Sequence, residues 1–359
     1  MTDVAVVGAG IVGLATAFAL RERGASVTVY ERAVPGAAQS GGESRIFRHG
    51  HDDPRLVAMA VEARAVWREW EARFGVELVA PYGSLLLGPA AERRVPLLRD
   101  AGVRTRPVDP AGLRIVGSWD GPGIVDEDAG VIRTRDAVAA LVDAVGPGTA
   151  GAVDQPAAAG AEESIRPDEV YSVGTDGTVR AGGVVARHER VVVCAGRGTA
   201  ALARAAGLEL PVEEAVHVRL TFPVRGEPPD RLPCLQHPDG AYGDPLRGNA
   251  TYAIGMGDVD EPASLDASAE RTRAWVARAL PGLEPTPVGV RHCWVTTLPW
   301  GPDGMAVWEA GRALFVAGGN LFKHAPVLGR ALAAAALGDG LRAELRPEAL
   351  LGRTSTAAW

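Results

Sequence analysis

The amino-acid sequence predicts an α/β fold that has a parallel sheet at its centre and strand-rich segments inserted into it. Two observations lead to this prediction. Short apolar runs that end in glycine, each followed by a helical pattern, occur at three distant places, residues 4–13, 190–196 and 313–319. Between them, residues 76–130 and 211–297 contain mostly short strand-like patterns. We therefore expect the parallel sheet to be assembled from the start, the middle and the end of the chain.

The first 31 residues carry the most specific motif. An apolar strand over residues 4–7 leads into Gly8-Ala9-Gly10-Ile11-Val12-Gly13, a helix over 14–23 that Gly24 caps, and a second strand over 26–31. The three glycines permit a tight turn, close approach of a pyrophosphate, and close packing of the helix on the sheet. The helix N-terminus attracts phosphates through free N–H groups and its dipole.

An acidic residue, Glu31, follows the motif at about the distance of 20 residues where a carboxylate binds a ribose hydroxyl pair. The sequence therefore predicts a Rossmann-like dinucleotide site whose residues are Gly8, Gly10, Ile11, Val12, Gly13, Glu31 and Arg32. An ordinary βαβ unit without a ligand is the alternative. The motif does not distinguish NAD from FAD.

Composition limits the classes of function. The 359 residues allow one large or two intertwined domains, and 47% hydrophobic with 23% charged residues is ordinary globular composition. A net charge of −7 argues against nucleic acid or an anionic membrane as partner. The strand at the N-terminus leaves no room for a signal peptide, and no window approaches a membrane span. Three cysteines without a disulfide framework indicate a reducing, cytoplasmic location, and no motif suggests a metal.

Two basic features are candidates for anion binding. A loop over residues 33–42 leads to Arg45 and Arg48, which lie three residues apart beside His49 and His51. Guanidinium groups bind carboxylates through a bidentate fork, although a solvated basic loop is the alternative. Lys323 is the only lysine among the 37 basic residues. Lysine differs from arginine in shape, hydration and pKa flexibility, so this position is a candidate functional site; chance survival of a surface lysine is the alternative.

The remaining elements follow from local patterns. Asp53 and Pro54 are typical of the start of a helix, whose apolar stripe is expected to be core packing rather than a cofactor site and consists of Leu56, Ala60, Ala63, Trp67, Trp70 and Phe74. Further helices are predicted over residues 92–102, 133–145 with Thr134 as cap, 199–206, 265–280 and 327–337. Strands are predicted over 82–87, two within 170–185, and over 190–196, 217–224, 240–242, 251–256 and 313–319. Residues 146–161 are of low complexity and are expected to form a surface excursion.

Five segments together resemble the FAD-dependent D-amino acid oxidase superfamily, and within it the monomeric sarcosine oxidase and N-methyltryptophan oxidase group. One is the N-terminal motif with Glu31. Two are Ser44-Arg45-Ile46-Phe47-Arg48-His49, similar to Thr-Arg-Ile-Ile-Arg-His in the group, and Gly318-Gly319-Asn320-Leu321-Phe322-Lys323, similar to Gly-His-Gly-Phe-Lys. The others are Leu280-Pro281-Gly282 followed by Cys293, and Ala241-Tyr242-Gly243-Asp244-Pro245, similar to Tyr-Tyr-Gly-Phe-Pro. The resemblance extends nearly from end to end.

The resemblance implies a Rossmann-like FAD-binding domain of the glutathione reductase type, with an inserted α+β substrate domain built on a mixed antiparallel sheet. The expected FAD-binding domain is discontinuous and comprises residues 1–80, 140–210 and 300–359. The expected substrate domain comprises residues 81–139 and 211–299.

The resemblance also implies roles for individual residues. Ser44 and Arg45 are expected near the flavin, Arg48 and Lys323 on the substrate carboxylate, and Tyr242 in the active site. Cys293 falls on the cysteine that the group joins through its sulfur to the flavin 8α-methyl carbon, with a free buried cysteine as the alternative. The backbone of the last segment is expected over the flavin, so the cofactor site includes Gly318, Gly319, Asn320, Leu321, Phe322 and Lys323.

Two departures from the group affect the expected chemistry. The group's oxygen-activating lysine falls on Ala253, and a nearby histidine falls on Gly257. A lysine ammonium stabilises the charge that develops as O2 takes an electron, so its absence should slow reoxidation by O2. Asp244 replaces an aromatic residue of the group; it either meets a cationic or hydroxylated substrate or faces solvent.

The function implied is oxidation of the C–N bond of a secondary, N-methyl or cyclic amino acid by hydride transfer to FAD, giving an imine; O2 or another acceptor then reoxidises the flavin. Alternatives are a flavin-dependent amino acid dehydrogenase, a glycine-oxidase-like enzyme with non-covalent FAD, and a biosynthetic tailoring role for either. A non-catalytic scaffold leaves the Arg48 and Lys323 pair unexplained, and an NAD-dependent dehydrogenase leaves Cys293 unexplained. Beyond a small amino acid or amine and an electron acceptor, the expected assembly is a monomer or small homo-oligomer.

Overall fold

The computed structural model of the protein describes residues 2–109, 113–146, 164–257 and 264–353. Within these ranges the α-helices are α1 (Ile11–Glu22), α2 (Pro54–Phe74), α3 (Pro89–Asp100), α4 (Thr134–Val145), α5 (Thr199–Ala205), α6 (Leu265–Ala279) and α7 (Ala325–Ala336). Short 3-10 helices cover Gly196–Gly198, Leu321–His324, Ala343–Leu345 and Pro347–Ala349. No helix in the described part of the chain combines the length and the apolar character that crossing a membrane requires.

The strands are distributed along the whole chain. The first ten are β1 (Asp3–Val7), β2 (Ser26–Tyr30), β3 (Ser44–Phe47), β4 (Val79–Ala80), β5 (Ser84–Leu87), β6 (Thr105–Pro107), β7 (Gly123–Asp126), β8 (Gly130–Arg133), β9 (Ile165–Arg166) and β10 (Val170–Val173). The others are β11 (Thr178–Ala181), β12 (Val184–Arg187), β13 (Arg190–Val193), β14 (Glu213–Pro223), β15 (Cys234–Gln236), β16 (Ala241–Pro245), β17 (Thr251–Met256), β18 (Gly289–Thr297), β19 (Met305–Ala310) and β20 (Ala313–Gly318).

A six-stranded sheet in the order β19-β20-β13-β1-β2-β9 forms the first core. Five of its strands are parallel and only β19 runs against its neighbour. The central strand β1 pairs with β13, which in turn pairs with β20, so the start, middle and end of the chain meet as predicted. Alternate side chains of β1 enter two different cores, one with helices α1, α2 and α7 and one with α5 and the small sheet β10-β11-β12. Burial of both faces explains why these strands are continuous apolar runs.

An eight-stranded sheet in the order β18-β14-β17-β16-β15-β5-β7-β6 forms the second core. Its pairs are antiparallel except for β15 with β5, which makes it the mixed sheet that the sequence predicts. Along β14, Val218, Leu220 and Phe222 alternate with polar residues and pack against Trp275 and Val276 of α6. One face of this sheet is therefore apolar and covered by a helix, and the opposite face is free to carry polar groups.

Several local predictions are corrected. Thr134 is not a cap but the first residue of α4, where its hydroxyl donates to the Gly42 carbonyl oxygen at 2.7 Å. Residues 170–187 form three strands rather than two, because the chain turns again at residues 182–183. Strands β15 and β18 were not predicted. Of the expected surface excursion, residues 147–161 lie outside the described residues.

Candidate active site

The glycine turn after β1 has no room for side chains. Gly8 adopts a φ of +98°, and a Cβ built on it would lie 2.6 Å from the Cys194 carbonyl oxygen at the end of β13. A Cβ on Gly13 would lie 1.9 Å from the Gly8 carbonyl oxygen. Backbone from β1, α1 and β13 therefore converges on one close-packed turn, which is the cradle that a pyrophosphate requires. This geometry fits the dinucleotide site that the sequence predicts.

Glu31 lies beside that turn. Its carboxylate accepts hydrogen bonds from the backbone N–H groups of Ala9 (2.8 Å) and Ala33 (3.0 Å). The Ile11 N–H, at the start of α1, donates to Ser40 Oγ at 2.9 Å, and Val12 is buried in the same turn. Arg32 points elsewhere: it is exposed and pairs with Glu169 at 3.3 Å. Of the residues predicted for the dinucleotide site, the structure thus places all but Arg32 at this turn, and it adds Ser40, which no sequence pattern indicated.

Arg45, on β3, has a largely buried guanidinium that holds the loop before it. The group donates to the carbonyl oxygens of Ser44 (2.8 Å), Gln39 (3.0 Å) and Gly41 (2.7 Å). Burial, and then the positive charge of Arg219, lower the pKa of Arg45. Ser44 itself is buried where β3 begins. Arg45 is therefore a fixed positive charge rather than part of a solvated basic loop.

The polar face of the eight-stranded sheet gathers residues from four strands. In the register of the sheet, Cys293 on β18 lies opposite His217 on β14, and Arg219 and Tyr242 both lie opposite Gly255 on β17. The Tyr242 hydroxyl is 2.9 Å from His217 Nδ1, and a Cβ on Gly255 would lie 2.7 Å from that hydroxyl. Burial is the main reason that the pKa of Tyr242 rises to about 12, so the phenol is neutral at physiological pH. We call this group, consisting of His217, Arg219, Tyr242, Asp244 and Cys293, the sheet-face cluster.

Asp244 does not face solvent, nor is it free to meet a substrate as an unpaired acid. It is fully buried and forms an ion pair with Arg219 at 2.5 Å. Burial alone would lower the pKa of Arg219, but the Asp244 carboxylate raises it above its ordinary value. The same guanidinium lies 3.5 Å from the carbonyl oxygen of Ala253, the position at which the family resemblance lacks its lysine. Asp244 Oδ2 and Arg219 Nε have no hydrogen-bond partner in the described part of the chain.

Arg48 and Lys323 converge on one carboxylate of the chain itself. Arg48 Nη2 donates to Asp303 Oδ2 at 2.8 Å, and Lys323 Nζ lies 3.7 Å from Asp303 Oδ1. His51 Nδ1 lies 3.0 Å from Oδ2, and the Asn320 amide donates to Oδ1 at 2.8 Å. We call Arg48, His51, Asp303 and Lys323 the clamp. The resemblance assigned Arg48 and Lys323 to the carboxylate of the substrate; in this structure both contact Asp303, a carboxylate of the chain itself, so the role toward substrate stays a prediction.

The protonation states in the clamp follow from burial and from the neighbouring charges. Burial would raise the pKa of Asp303, but the cations Arg48 and Lys323 hold it well below its usual range. Burial lowers the pKa of Lys323 to about 8, partly offset by Asp303. Burial and Arg48 lower the pKa of His51 to about 3, so its imidazole is neutral and Nδ1 can donate to Asp303. At neutral pH the clamp therefore carries two positive charges and one negative charge.

The segment from Gly318 to Lys323 links the clamp to the sheet face. Thr296 Oγ1, three residues after Cys293, donates to the Gly318 carbonyl oxygen at 3.0 Å. The Gly319 N–H donates to the carbonyl oxygen of Gly304, the residue after Asp303, at 2.9 Å. Further along, Trp67 Nε1 on α2 donates to the Lys323 carbonyl oxygen at 2.9 Å, and Phe322 stacks parallel to Trp67. Leu321 is half-buried beside them. Trp67 is thus core, as predicted, and it also fixes the backbone of the lysine.

The structure divides the predicted basic segment between two groups. Arg45 belongs with the sheet-face cluster, because Cys293, Arg219 and Tyr242 are within electrostatic range of it. Arg48, three residues later, belongs to the clamp. The sequence missed Asp303, Arg219 and His217 as site residues. The alternation of polar and apolar residues over 217–222 was the signal for the last two.

Comparison with known proteins gives one family. The DAO family, described as FAD dependent oxidoreductase, matches residues 3–335. A curated protein, the tRNA 5-methylaminomethyl-2-thiouridine biosynthesis bifunctional protein MnmC of Magnetococcus marinus, is 48% identical over 59 residues, which is 16% of this chain and 8% of that protein. The chain therefore spans less than a tenth of the curated relative that it matches.

Solved structures resemble this one over nearly its whole length. NikD, described as an unusual amino acid oxidase essential for nikkomycin biosynthesis, has a TM-score of 0.79 at 20% identity and covers 100% of this chain and 99% of its own. Glycine oxidase from Geobacillus kaustophilus has a TM-score of 0.75 at 19% identity, with 100% of both chains covered. L-Proline dehydrogenase from P. horikoshii has a TM-score of 0.74 at 17% identity, covering 95% and 94%. These likenesses confirm the predicted fold class.

Proposed function

The chain belongs to the DAO family of FAD-dependent oxidoreductases, and on that basis we propose that it oxidises the C–N bond of an amino acid to an imine. The observation that carries the proposal is that Arg48 and Lys323 converge in a largely buried site, where both face one carboxylate, that of Asp303, at 2.8 and 3.7 Å. An amino acid brings a carboxylate next to its reacting C–N bond. The similar structures include a glycine oxidase and an L-proline dehydrogenase, whose names agree with this substrate class.

In the proposed reaction the clamp positions the substrate. Arg48 and Lys323 hold its carboxylate and so fix the α-carbon, and this orientation supplies much of the rate. Bound FAD would accept the hydride equivalent from that carbon. Neither cation removes the amine proton, so the amine arrives unprotonated or loses its proton to water. Tyr242, neutral and hydrogen-bonded to His217, offers a polar but uncharged contact on the sheet face.

We propose that the turn at Gly8, Gly10 and Gly13 holds the pyrophosphate of FAD and that Glu31 binds the ribose hydroxyls. The hydrogen bonds that the Glu31 carboxylate accepts from the Ala9 and Ala33 N–H groups keep it at this turn. The domain division given above, with FAD held by the discontinuous segments and substrate by the insertions, is part of the same proposal. A cytoplasmic location is also proposed, supported by three free cysteines.

We propose a covalent bond between Cys293 and the flavin. The thiol is only half-buried on the polar face of β18, and it lies within electrostatic range of Arg45, Arg219 and Tyr242. By contrast, Cys194 and Cys234 have thiols whose pKa burial raises, which makes them unreactive. Cys293 is therefore the best placed of the three for a tether.

A dehydrogenase that passes electrons to an acceptor other than O2 is the second candidate. Ala253 supports it, because the described part of the sheet face has no lysine and the guanidinium that lies 3.5 Å from the Ala253 carbonyl oxygen, that of Arg219, is paired with Asp244. A cation that is already paired stabilises developing negative charge less than a free one. Comparison of O2 with an artificial dye as acceptor separates the two candidates.

The test of the proposed function is turnover of N-methyl and cyclic amino acids by the holoenzyme and its clamp variants. We expect Arg48→Met and Lys323→Met each to lower kcat/KM by about 100-fold, because a poorly held substrate loses the benefit of orientation. Arg23→Met, which removes an exposed arginine paired with Asp339, is the matched control and should leave kcat/KM unchanged. Unchanged kcat/KM in both clamp variants would contradict the proposal.

A further inference from the structure

Asp303 is the one acidic side chain that contacts both cations of the clamp in the described structure. It lies in the turn between β18 and β19, where the Gly304 N–H donates to the Gly301 carbonyl oxygen at 2.9 Å. Its contacts with Arg48 and Lys323 raise the question whether this carboxylate merely fills the site or forms part of it.

The hydrogen bonds of Asp303 favour the second answer. Besides the cations, two neutral donors hold it: His51 Nδ1 at 3.0 Å on Oδ2 and the Asn320 amide at 2.8 Å on Oδ1. His51 is buried and its Nε2 has no partner in the described residues, as expected of a neutral ring that uses Nδ1–H as donor. Each carboxylate oxygen is thus fixed by a neutral group and a cation. Asp303 is built in rather than a transient occupant.

The cations keep unused donors. Arg48 directs one nitrogen to Asp303 and another to the Gly50 carbonyl oxygen, and a guanidinium has five N–H groups. Lys323 Nζ donates to the Asn320 carbonyl oxygen at 3.3 Å and has three N–H groups. Donors on both cations thus remain for a second carboxylate while Asp303 stays in place.

We propose that Asp303 is a specificity-determining residue that sets the clamp to a net charge of +1, so that it takes a substrate with one carboxylate and rejects dicarboxylates. This inference rests on the proposed function, because it specifies the charge of the substrate that the clamp holds. With one carboxylate bound, two cations face two anions and the buried charge is balanced. A second carboxylate close to the first brings an anion without a counter-charge into a site that water does not fully reach, which is costly.

Charged groups around the clamp do not change this balance. Arg94, which lies within electrostatic range of Lys323, forms a two-point ion pair with Asp52 at 3.0 and 2.8 Å. His324, buried against His51, is neutral because burial lowers its pKa well below the ordinary value. The net charge that acts on an added carboxylate is therefore the sum of the charges of Arg48, Lys323 and Asp303.

The test compares acetate with malonate, which differ by one carboxylate, as ligands of the holoenzyme at neutral pH. Binding is followed by the perturbation of the flavin absorption spectrum, which requires no turnover. In the unaltered protein we expect acetate to bind more tightly than malonate. In Asp303→Asn the clamp carries two unbalanced charges, so the ratio of the malonate Kd to the acetate Kd should fall by about tenfold or more.

Asp339→Asn is the control, because it removes an exposed carboxylate that pairs with Arg23 and contacts neither Arg48 nor Lys323, and its ratio should stay within about twofold of the unaltered protein. Asp303→Ser, which also removes the charge, replaces Asp303→Asn if that variant does not fold. An unchanged ratio in the Asp303 variants, or an equal change in Asp339→Asn, would overturn the inference and leave the proposed function standing. Failure of both ligands to perturb the unaltered holoenzyme would instead refute the carboxylate clamp itself.

Discussion

Lys323 combines two properties that make its charge sensitive to pH. It is 4% exposed, and burial lowers its pKa to about 8. It must be protonated to attract a carboxylate, so it is cationic below this pH and increasingly neutral above it. The other titratable groups of the clamp do not change state nearby: the pKa of His51 is lowered to about 3 and that of Asp303 lies well below its usual range.

We therefore predict that carboxylate binding weakens as pH rises through about 8. The acetate Kd of the holoenzyme should be constant below that pH and increase above it by about tenfold per pH unit, as for one proton linked to binding. The measurement is a spectral titration at a series of pH values. Lys323→Met should bind more weakly and show no inflection; an inflection that persists in this variant would assign the effect to another group.

Individual residues of the site could be predicted only where local context singled them out. Lys323 stands alone in an arginine-rich chain and Arg48 belongs to a motif, so both could be singled out, and the structure brings them together on Asp303. Asp303 was not, because it lies 255 positions from Arg48 in a short Pro-Asp-Gly turn that resembles any surface turn. Asp244 was misjudged for a related reason, since its partner Arg219 lies two strands away.

Helices α1 and α7 contact each other at a glycine of α7. A Cβ on Gly329 of α7 would lie 2.5 Å from the backbone carbonyl carbon of Ala15 on α1. The helices therefore touch along their backbones, and α7 begins at Ala325, directly after the clamp lysine and His324. The position of Lys323 thus depends on how closely these helices approach.

We predict that Gly329→Ala destabilises the protein by about 1–3 kcal/mol, because the added methyl must push the helices apart. Acetate binding should weaken as well, since a displaced α7 moves Lys323. Denaturant unfolding and spectral titration measure the two effects. Gly289→Ala is the control, because its Cβ would lie at an ordinary 3.5 Å from Thr221. Equal stability of the two variants would show that α1 and α7 have room to adjust.

Elements with strong periodicity were predicted well. The α2 helix starts at Pro54 after its Asp53 cap, and the Asp53 carboxylate accepts from the Arg55 N–H at 2.9 Å. Strand β15, by contrast, has only three residues, too few for a pattern, and β18 has exposed apolar residues at Val290 and Trp294 that obscure its alternation. The first two glycine-ended strands were predicted because burial on both faces makes every residue after the first apolar.

At the scale of the whole molecule, the cofactor site joins three segments. The turn at Gly8 packs on Cys194 from the middle of the chain, and β13 is in turn paired with β20 near the other end. The order of these strands could be expected from the family resemblance and from the glycine ends. The order of the eight-stranded sheet could not, because antiparallel strands of similar length pair equally well in several arrangements.

We predict that FAD stabilises the whole protein and that Cys293 retains it. After acid precipitation the flavin of the unaltered protein should remain in the pellet, whereas Cys293→Ser should release it to the supernatant. Cys293→Ser freed of FAD should then unfold at a lower temperature, and added FAD at 100 times its Kd should restore about 2.7 kcal/mol. Flavin in the supernatant of the unaltered protein would disprove the tether, and an unchanged unfolding temperature would disprove the role of FAD in joining the segments.

The convergence at Gly8 also has a consequence for biogenesis. The ribosome delivers the glycine turn first, but Cys194, whose carbonyl oxygen packs against it, is synthesised 186 residues later, and β20 ends at Gly318. Until then β1 has β2 on one side but lacks its other parallel neighbour, β13, and an apolar strand with an open edge is the kind of segment that chaperones bind. We expect the nascent chain to be unable to retain FAD until the last sheet strand has left the exit tunnel, so that loading of the cofactor is post-translational.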